Sequence, residues 1–120
     1  MSTQVPLKPV MERALEIEPQ DVHKQLTGDG ELLVLDCRTQ DEWDICHIEG
    51  STLLPLQEMS LRIAELEQYR HTPIVVYCHK GARSMIITRL LRHSGFTHVQ
   101  SMAGGIDRWA NEIDSDMATY

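Results

Sequence analysis

Cys78 closes a run of apolar residues, Ile74-Val75-Val76-Tyr77, and is followed at once by His79-Lys80-Gly81-Ala82-Arg83-Ser84. A strand that runs into a cysteine, then a short turn, then the start of a helix puts the thiol at the carboxyl end of a parallel strand. That is where open α/β sheets bind ligands. The backbone N–H groups of such a turn converge on one spot and make an anion site before any side chain is added. Lys80 and Arg83 add two positive charges, and Gly81 suits a backbone that takes a positive φ or comes close to a ligand. The same surroundings pull a cysteine pKa below its free value of about 8.5. The chemistry expected is a nucleophilic Cys78 thiolate facing a small anionic substrate, with His79, Lys80, Gly81, Ala82, Arg83 and Ser84 around that substrate. The competing reading is a structural cysteine ending a buried strand; the crowding of Gly, Lys and Arg into the next five positions weighs against it. His79 is a candidate proton acceptor, although adjacent side chains often point apart.

The elements that must hold this loop are legible on either side of it. Ser84 to His93 reads as a helix with Ile86, Ile87, Leu90 and Leu91 on one side and Arg89, Arg92 and His93 on the other, ended by Gly95. His98 to Met102 is a strand candidate, followed by Gly104-Gly105 and a helix through Trp109 to Ile113. Upstream, Pro19 suits the first turn of a helix presenting Val22 and Leu26, which Gly28 and Gly30 end. Leu32 to Leu35 is a short apolar strand, and Thr39-Gln40-Asp41-Glu42 has the capping-box pattern. Ser51 to Leu54 is another strand candidate, stopped by Pro55. Leu56 to Glu67 carries Leu56, Met59, Ile63 and Leu66 at helical spacing. Short apolar strands alternating with amphipathic helices indicate an α/β domain with a mostly parallel sheet. We divide the chain into an N-terminal arm or short helix (1–15), one domain (16–114) and a C-terminal tail (115–120).

Composition narrows the function classes. The chain has 120 residues, 42% of them hydrophobic and 24% charged, and a net charge of −7. This excludes a disordered, collagenous or disulfide-scaffold protein, and no apolar run is long enough to cross a bilayer. From Gln68 to Ile106 there is no Asp or Glu, while Arg70, Lys80, Arg83, Arg89 and Arg92 all lie there; the other six basic residues face all 18 acids elsewhere. An acidic protein with one basic stretch is a poor nucleic-acid binder and a better binder of a small anion, with Arg70, Arg89 and Arg92 adding a steering field. Three cysteines without a CxxC pair, and no apolar segment near Met1, point to a reducing cytoplasm. Cys37, Cys46, His47 and Cys78 do not have zinc-site spacing. No metal or other cofactor is expected.

The chain resembles the rhodanese superfamily of single-domain sulfurtransferases, from about Glu18 to about Ile113. The resemblance rests on Leu32–Leu35 with Asp36-Cys37-Arg38, on Glu42 and Trp43, and on His47-Ile48-Glu49-Gly50-Ser51. The Cys78–Ser84 loop and Gly104-Gly105-Ile106-Asp107-Arg108-Trp109 complete it. It implies a rhodanese-like α/β fold, a central parallel sheet of about five strands with helices on both faces. The activity it implies is transfer of sulfane sulfur through a persulfide on Cys78, from thiosulfate or a similar anionic donor to cyanide, a thiol or a protein acceptor. Lys80 and Gly81 match the thiosulfate-using members. Asp36 and Arg38 are then a structural pair at the sheet end, and His47 is a scaffold residue. At position 37 the family usually has an aliphatic residue, so Cys37 reads as a packing substitute. The alternatives are a cysteine phosphatase or arsenate reductase of the same fold, which typically separate Cys and Arg by five residues rather than the four found here, and a non-catalytic interaction module.

Overall fold

A computed structural model of the chain describes residues 14–120, so most of the expected N-terminal arm lies outside the described residues. Five parallel strands form one sheet in the order β1-β5-β4-β2-β3. They are β1 (Glu16–Ile17), β2 (Leu33–Asp36), β3 (Thr52–Leu53), β4 (Ile74–Tyr77) and β5 (Val99–Met102). The helices are α1 (Pro19–Leu26), α2 (Gln40–Ile45), α3 (Met59–Arg62), α4 (Ala82–His93) and α5 (Gly105–Glu112).

Strand alternation divides the core in two. Leu33, Leu35, Ile74, Val76 and Val99 project to one face, where Ile87 and Leu91 of α4, Leu66 and Met59 cover them. Val34, Val75, Tyr77 and Met102 project to the other, beneath Val22 of α1 and Ile106 and Trp109 of α5. Burial on both faces is why β2 and β4 read as continuous apolar runs. The expected capping box is present: Thr39 accepts from the Glu42 N–H while the Glu42 carboxylate reaches back to the Thr39 N–H. Pro19 opens α1.

Three expectations need correction. The segment 56–67 is not one helix but a 3-10 turn (Leu56–Glu58), the single α turn α3, and a second 3-10 stretch (Ile63–Tyr69). Ile63, Leu66 and Tyr69 lie three apart, the period at which 3-10 side chains eclipse on one face. β1, where the sequence reading placed no element, is a strand paired with β5. The third concerns α4, whose inward stripe is Ser84, Ile87, Thr88, Leu91 and Arg92, leaving Ile86 and Leu90 exposed. Arg92 is therefore buried rather than solvated, donating to the carbonyls of Val99 (2.9 Å) and Ala14 (2.8 Å). Within the tail, Met117 packs against the α5 side of the core.

A buried arginine bonded to carbonyls is costly to remove, because its acceptors are left unpaired. Arg92→Met should lower the unfolding free energy by about 2 kcal/mol in urea denaturation, whereas an arginine on a solvated face would change it by less than about 0.5 kcal/mol.

Candidate active site

All strands run the same way, so the ends of β2 and β4 meet at one edge of the sheet, and Cys78 is the first residue past β4. Its sulfur is 1% exposed by residue and lies against the N-terminus of α4. The Gly81 N–H donates to it at 3.1 Å and the Ser84 N–H at 3.4 Å. The Ser84 hydroxyl lies 3.4 Å from it and is itself held by the Ser101 hydroxyl at 2.7 Å. Gly81 caps α4 at φ 119°, a left-handed conformation that an L side chain would strain.

The loop is aimed from the other side by α5. Ile106 N–H donates to the Cys78 carbonyl (2.9 Å) and Asp107 N–H to the His79 carbonyl (3.1 Å). A trans peptide points its C=O and N–H in opposite directions. Turning these two carbonyls toward α5 therefore turns the N–H groups of His79 and Lys80 away from it. Neither these nor the first-turn N–H groups of Ala82 and Arg83 have a protein acceptor among the described residues. The approach is close enough that a Cβ on Gly105 would collide with both carbonyl oxygens.

Cys37 lies beside Cys78. It is the first residue past β2, and its N–H donates to the Tyr77 carbonyl, extending the ladder by one step beyond the Asp36–Tyr77 pair. Both cysteines belong to the α4-side core and both are 1% exposed. The Cys37 thiol donates to the Tyr77 carbonyl at 3.4 Å and lies on the strand next to Cys78. That carbonyl also accepts from the Cys37 N–H, its two lone pairs serving both donors. The Cys78 pKa is drawn well below the ordinary thiol range, first by the Cys37 thiol, then by the Ser84 hydroxyl and the two amides, against the cost of burial. Cys37 is pushed the opposite way by the Cys78 sulfur and by burial.

The predicted cations fare differently from one another. Arg83 is held in a bidentate pair with Glu42, at 2.7 and 2.9 Å. Glu42 also accepts from the Tyr120 hydroxyl (2.6 Å), and with Arg83 first among the causes its carboxyl titrates well below the usual carboxylate range. Lys80 is exposed and has no ion-pair partner among the described residues. Ala82 is exposed on the first turn of α4. Arg70 and Arg92 stand at the far end of the sheet: α4 runs back from the site, and Arg70 pairs with Glu67 while bonding the Ser94 carbonyl. Neither flanks the Cys78 loop.

Asp36 and Arg38 form a fully buried ion pair, and Arg38 also donates to the Cys46 carbonyl and the Tyr120 hydroxyl. His47 lies outside the site, stacked on the Trp43 ring with Nδ1 at 3.0 Å from the Trp43 carbonyl. His79 stacks on Tyr120 at 4.1 Å, with Nε2 buried and unpartnered, and makes no hydrogen bond to the Cys78 sulfur. Sequence reasoning missed Cys37, Glu42 as the Arg83 partner, Ser101 and Tyr120. The parity of Cys37 and Cys78, each one residue beyond an apolar strand, was the available signal. No three His, Cys, Asp or Glu side chains converge among the described residues, and no helix among them is long and apolar enough to cross a membrane.

Comparison with known proteins agrees with this architecture. A solved rhodanese-related protein from Thermoplasma volcanium superposes with a TM-score of 0.73 at 26% identity, over 82% of this chain and 92% of that one. A thiosulfate sulfurtransferase from Pseudomonas aeruginosa gives 0.72 at 28% identity, over 80% of this chain and 18% of that one. The probable adenylyltransferase/sulfurtransferase MoeZ of Mycobacterium tuberculosis is 34% identical over 106 residues, covering 87% of this chain. The chain spans about a quarter (26%) of that relative's length. The family model for the rhodanese-like domain matches residues 18–112, nearly the whole of the sheet and its helices, and the chain belongs to that family.

Proposed function

We propose that the protein is a sulfurtransferase that carries sulfane sulfur as a persulfide on Cys78, taking it from thiosulfate or a similar anionic donor. The observation that carries this reading is the Cys78 sulfur held by two amides at a helix N-terminus, beside loop N–H groups that have no protein acceptor among the described residues. In the first step the thiolate attacks the outer sulfur of the donor. The donor S–S bond breaks and its electron pair leaves with sulfite, whose growing charge the loop N–H groups and Lys80 stabilise. In the second step cyanide, a thiol or a protein nucleophile attacks the terminal sulfur, and the Cys78 thiolate departs. Neither step calls for a metal or an organic cofactor.

Several features support sulfur over phosphoryl chemistry. The loop places four residues between Cys78 and Arg83, and Arg83 faces Glu42 rather than the cysteine. The MoeZ name joins sulfurtransferase to adenylyltransferase, which favours a protein acceptor beside small thiols. A reducing compartment such as the cytoplasm would keep the three free thiols as they are.

After thiosulfate treatment the intact protein should gain the mass of one sulfur atom, and Cys78→Ser should gain none. A serine variant that still gains it, or aryl-phosphate hydrolysis outrunning thiocyanate formation, overturns the assignment. Gly105→Ala should displace the carbonyl anchors of the loop and lower kcat/KM by about 100-fold with the circular dichroism spectrum retained; an unchanged kcat/KM would refute the role given to α5. The pH profile follows from the direction of the Cys78 shift. A depressed pKa keeps the thiolate present as pH falls, so kcat/KM should stay flat from about 8.5 down to about 6, where an ordinary thiol would lose about tenfold per unit.

A further inference from the structure

A buried thiol on the strand next to the nucleophile has a use beyond packing. Cys37 and Cys78 occupy neighbouring positions on adjacent parallel strands, one step past the Asp36–Tyr77 pair, and their side chains share the α4-side face. Cα atoms of such neighbours lie about 4.8 Å apart, inside the range of about 4.4–6.8 Å that a disulfide spans. The third cysteine, Cys46, packs on the opposite face of the sheet. The loop amides that hold the Cys78 sulfur come from beyond the strand end, whereas Cys37 approaches from the strand itself. A sulfur atom added to Cys78 on the loop side would leave the side toward Cys37 open to attack.

We propose that Cys37 is an internal resolving thiol, which attacks the inner sulfur of the Cys78 persulfide when no acceptor arrives, expels hydrosulfide and leaves a Cys37–Cys78 disulfide. This rests on the persulfide reading above. The Cys78 Sγ–S bond breaks and the Sγ–Sγ bond forms. The Cys37 proton goes to the departing sulfur. The sulfane sulfur gains two electrons and the two cysteines together lose two, so no outside oxidant is required. An external thiol then restores both cysteines by exchange. The protein thereby releases inorganic sulfide from a stranded persulfide, an activity distinct from transfer to an acceptor, and parks its nucleophile in a form that refuses further donor until reduced.

The test follows intact mass and released sulfide after thiosulfate loading, with the donor then removed and no acceptor added. The wild-type chain should lose the added sulfur and release one hydrosulfide per chain. It should end lighter than the reduced protein by two hydrogens, with residues 37 and 78 in one linked peptide that dithiothreitol separates. Cys37→Ala should retain the added sulfur, and Cys37→Val should do the same if the alanine variant fails to fold. Retention by wild type for as long as by the variants, or return to the reduced mass without a disulfide, overturns the resolving role and leaves the persulfide standing. Failure of wild type and variants alike to gain sulfur overturns the persulfide reading, and this step with it.

Discussion

Two hydrogen bonds from the N-terminus of α5 to the carbonyls of Cys78 and His79 set the direction of the His79 and Lys80 N–H groups in the cysteine loop. With these carbonyls facing α5, the chain passes from the strand into α4 so that the Gly81 and Ser84 amides meet the thiol. The contact demands glycine at position 105, since a side chain there would strike both carbonyl oxygens. It also demands that α5 be immobile. Ile106 and Trp109, both nearly fully buried, pin the helix to Val22 and Met102 on the face of the sheet away from α4. The cradle is thus built from both layers: α4 supplies the helix N-terminus, and α5 fixes the peptide planes that lead into it.

With the loop set this way, dipoles rather than point charges stabilise the Cys78 anion. Arg83 spends its guanidinium on Glu42, and Arg92 is buried against backbone carbonyls at the far end of the sheet. Ionised groups make hydrogen bonds roughly twice as strong as neutral pairs do. A thiolate accepting from a hydroxyl and two amides, with a thiol on the next strand, therefore needs no adjacent cation to offset its burial. Glu42 links the site to the rest of the chain, closing the N-terminus of α2, pairing with Arg83 and accepting from Tyr120. Tyr120 in turn bonds Arg38 of the buried Asp36–Arg38 pair, so the tail, α2 and the end of β2 form one polar network beside the loop.

Much of this was legible in the residues, and the rest was not for identifiable reasons. Local chemistry read correctly: the apolar run at Ile74–Tyr77, the Thr39 capping box, Pro19 at the start of α1 and the positive φ at Gly81 each follow from neighbours a few positions away. Tertiary facts did not. Which stripe of α4 faces inward depends on where Gly81 starts the helix; a start at Ala82 makes Ser84, Ile87, Thr88, Leu91 and Arg92 the buried set. β1 is two residues long and exists through its pairing with β5. The pairing of Arg83 with Glu42, 41 residues earlier, and the adjacency of Cys37 and Cys78 both require the β2–β4 register.

The position of Cys37 shows how one buried site answers two constraints. The residue next to Cys78 on the α4-side face must be small and apolar, because Leu35, Val76 and Ile87 pack around it. An aliphatic side chain would meet that demand and leave the Cys78 thiolate with the Ser84 hydroxyl and two amides as its donors. A thiol fills similar space and adds a proton, held by the Tyr77 carbonyl at 3.4 Å and available to an ionised neighbour. Burying a charge is costly unless its hydrogen-bonding capacity is met. Exchanging an aliphatic group for a thiol therefore shifts the balance toward the anion without enlarging the core or importing a charge, and the β2–β4 register sets this second sulfur on the strand beside the first.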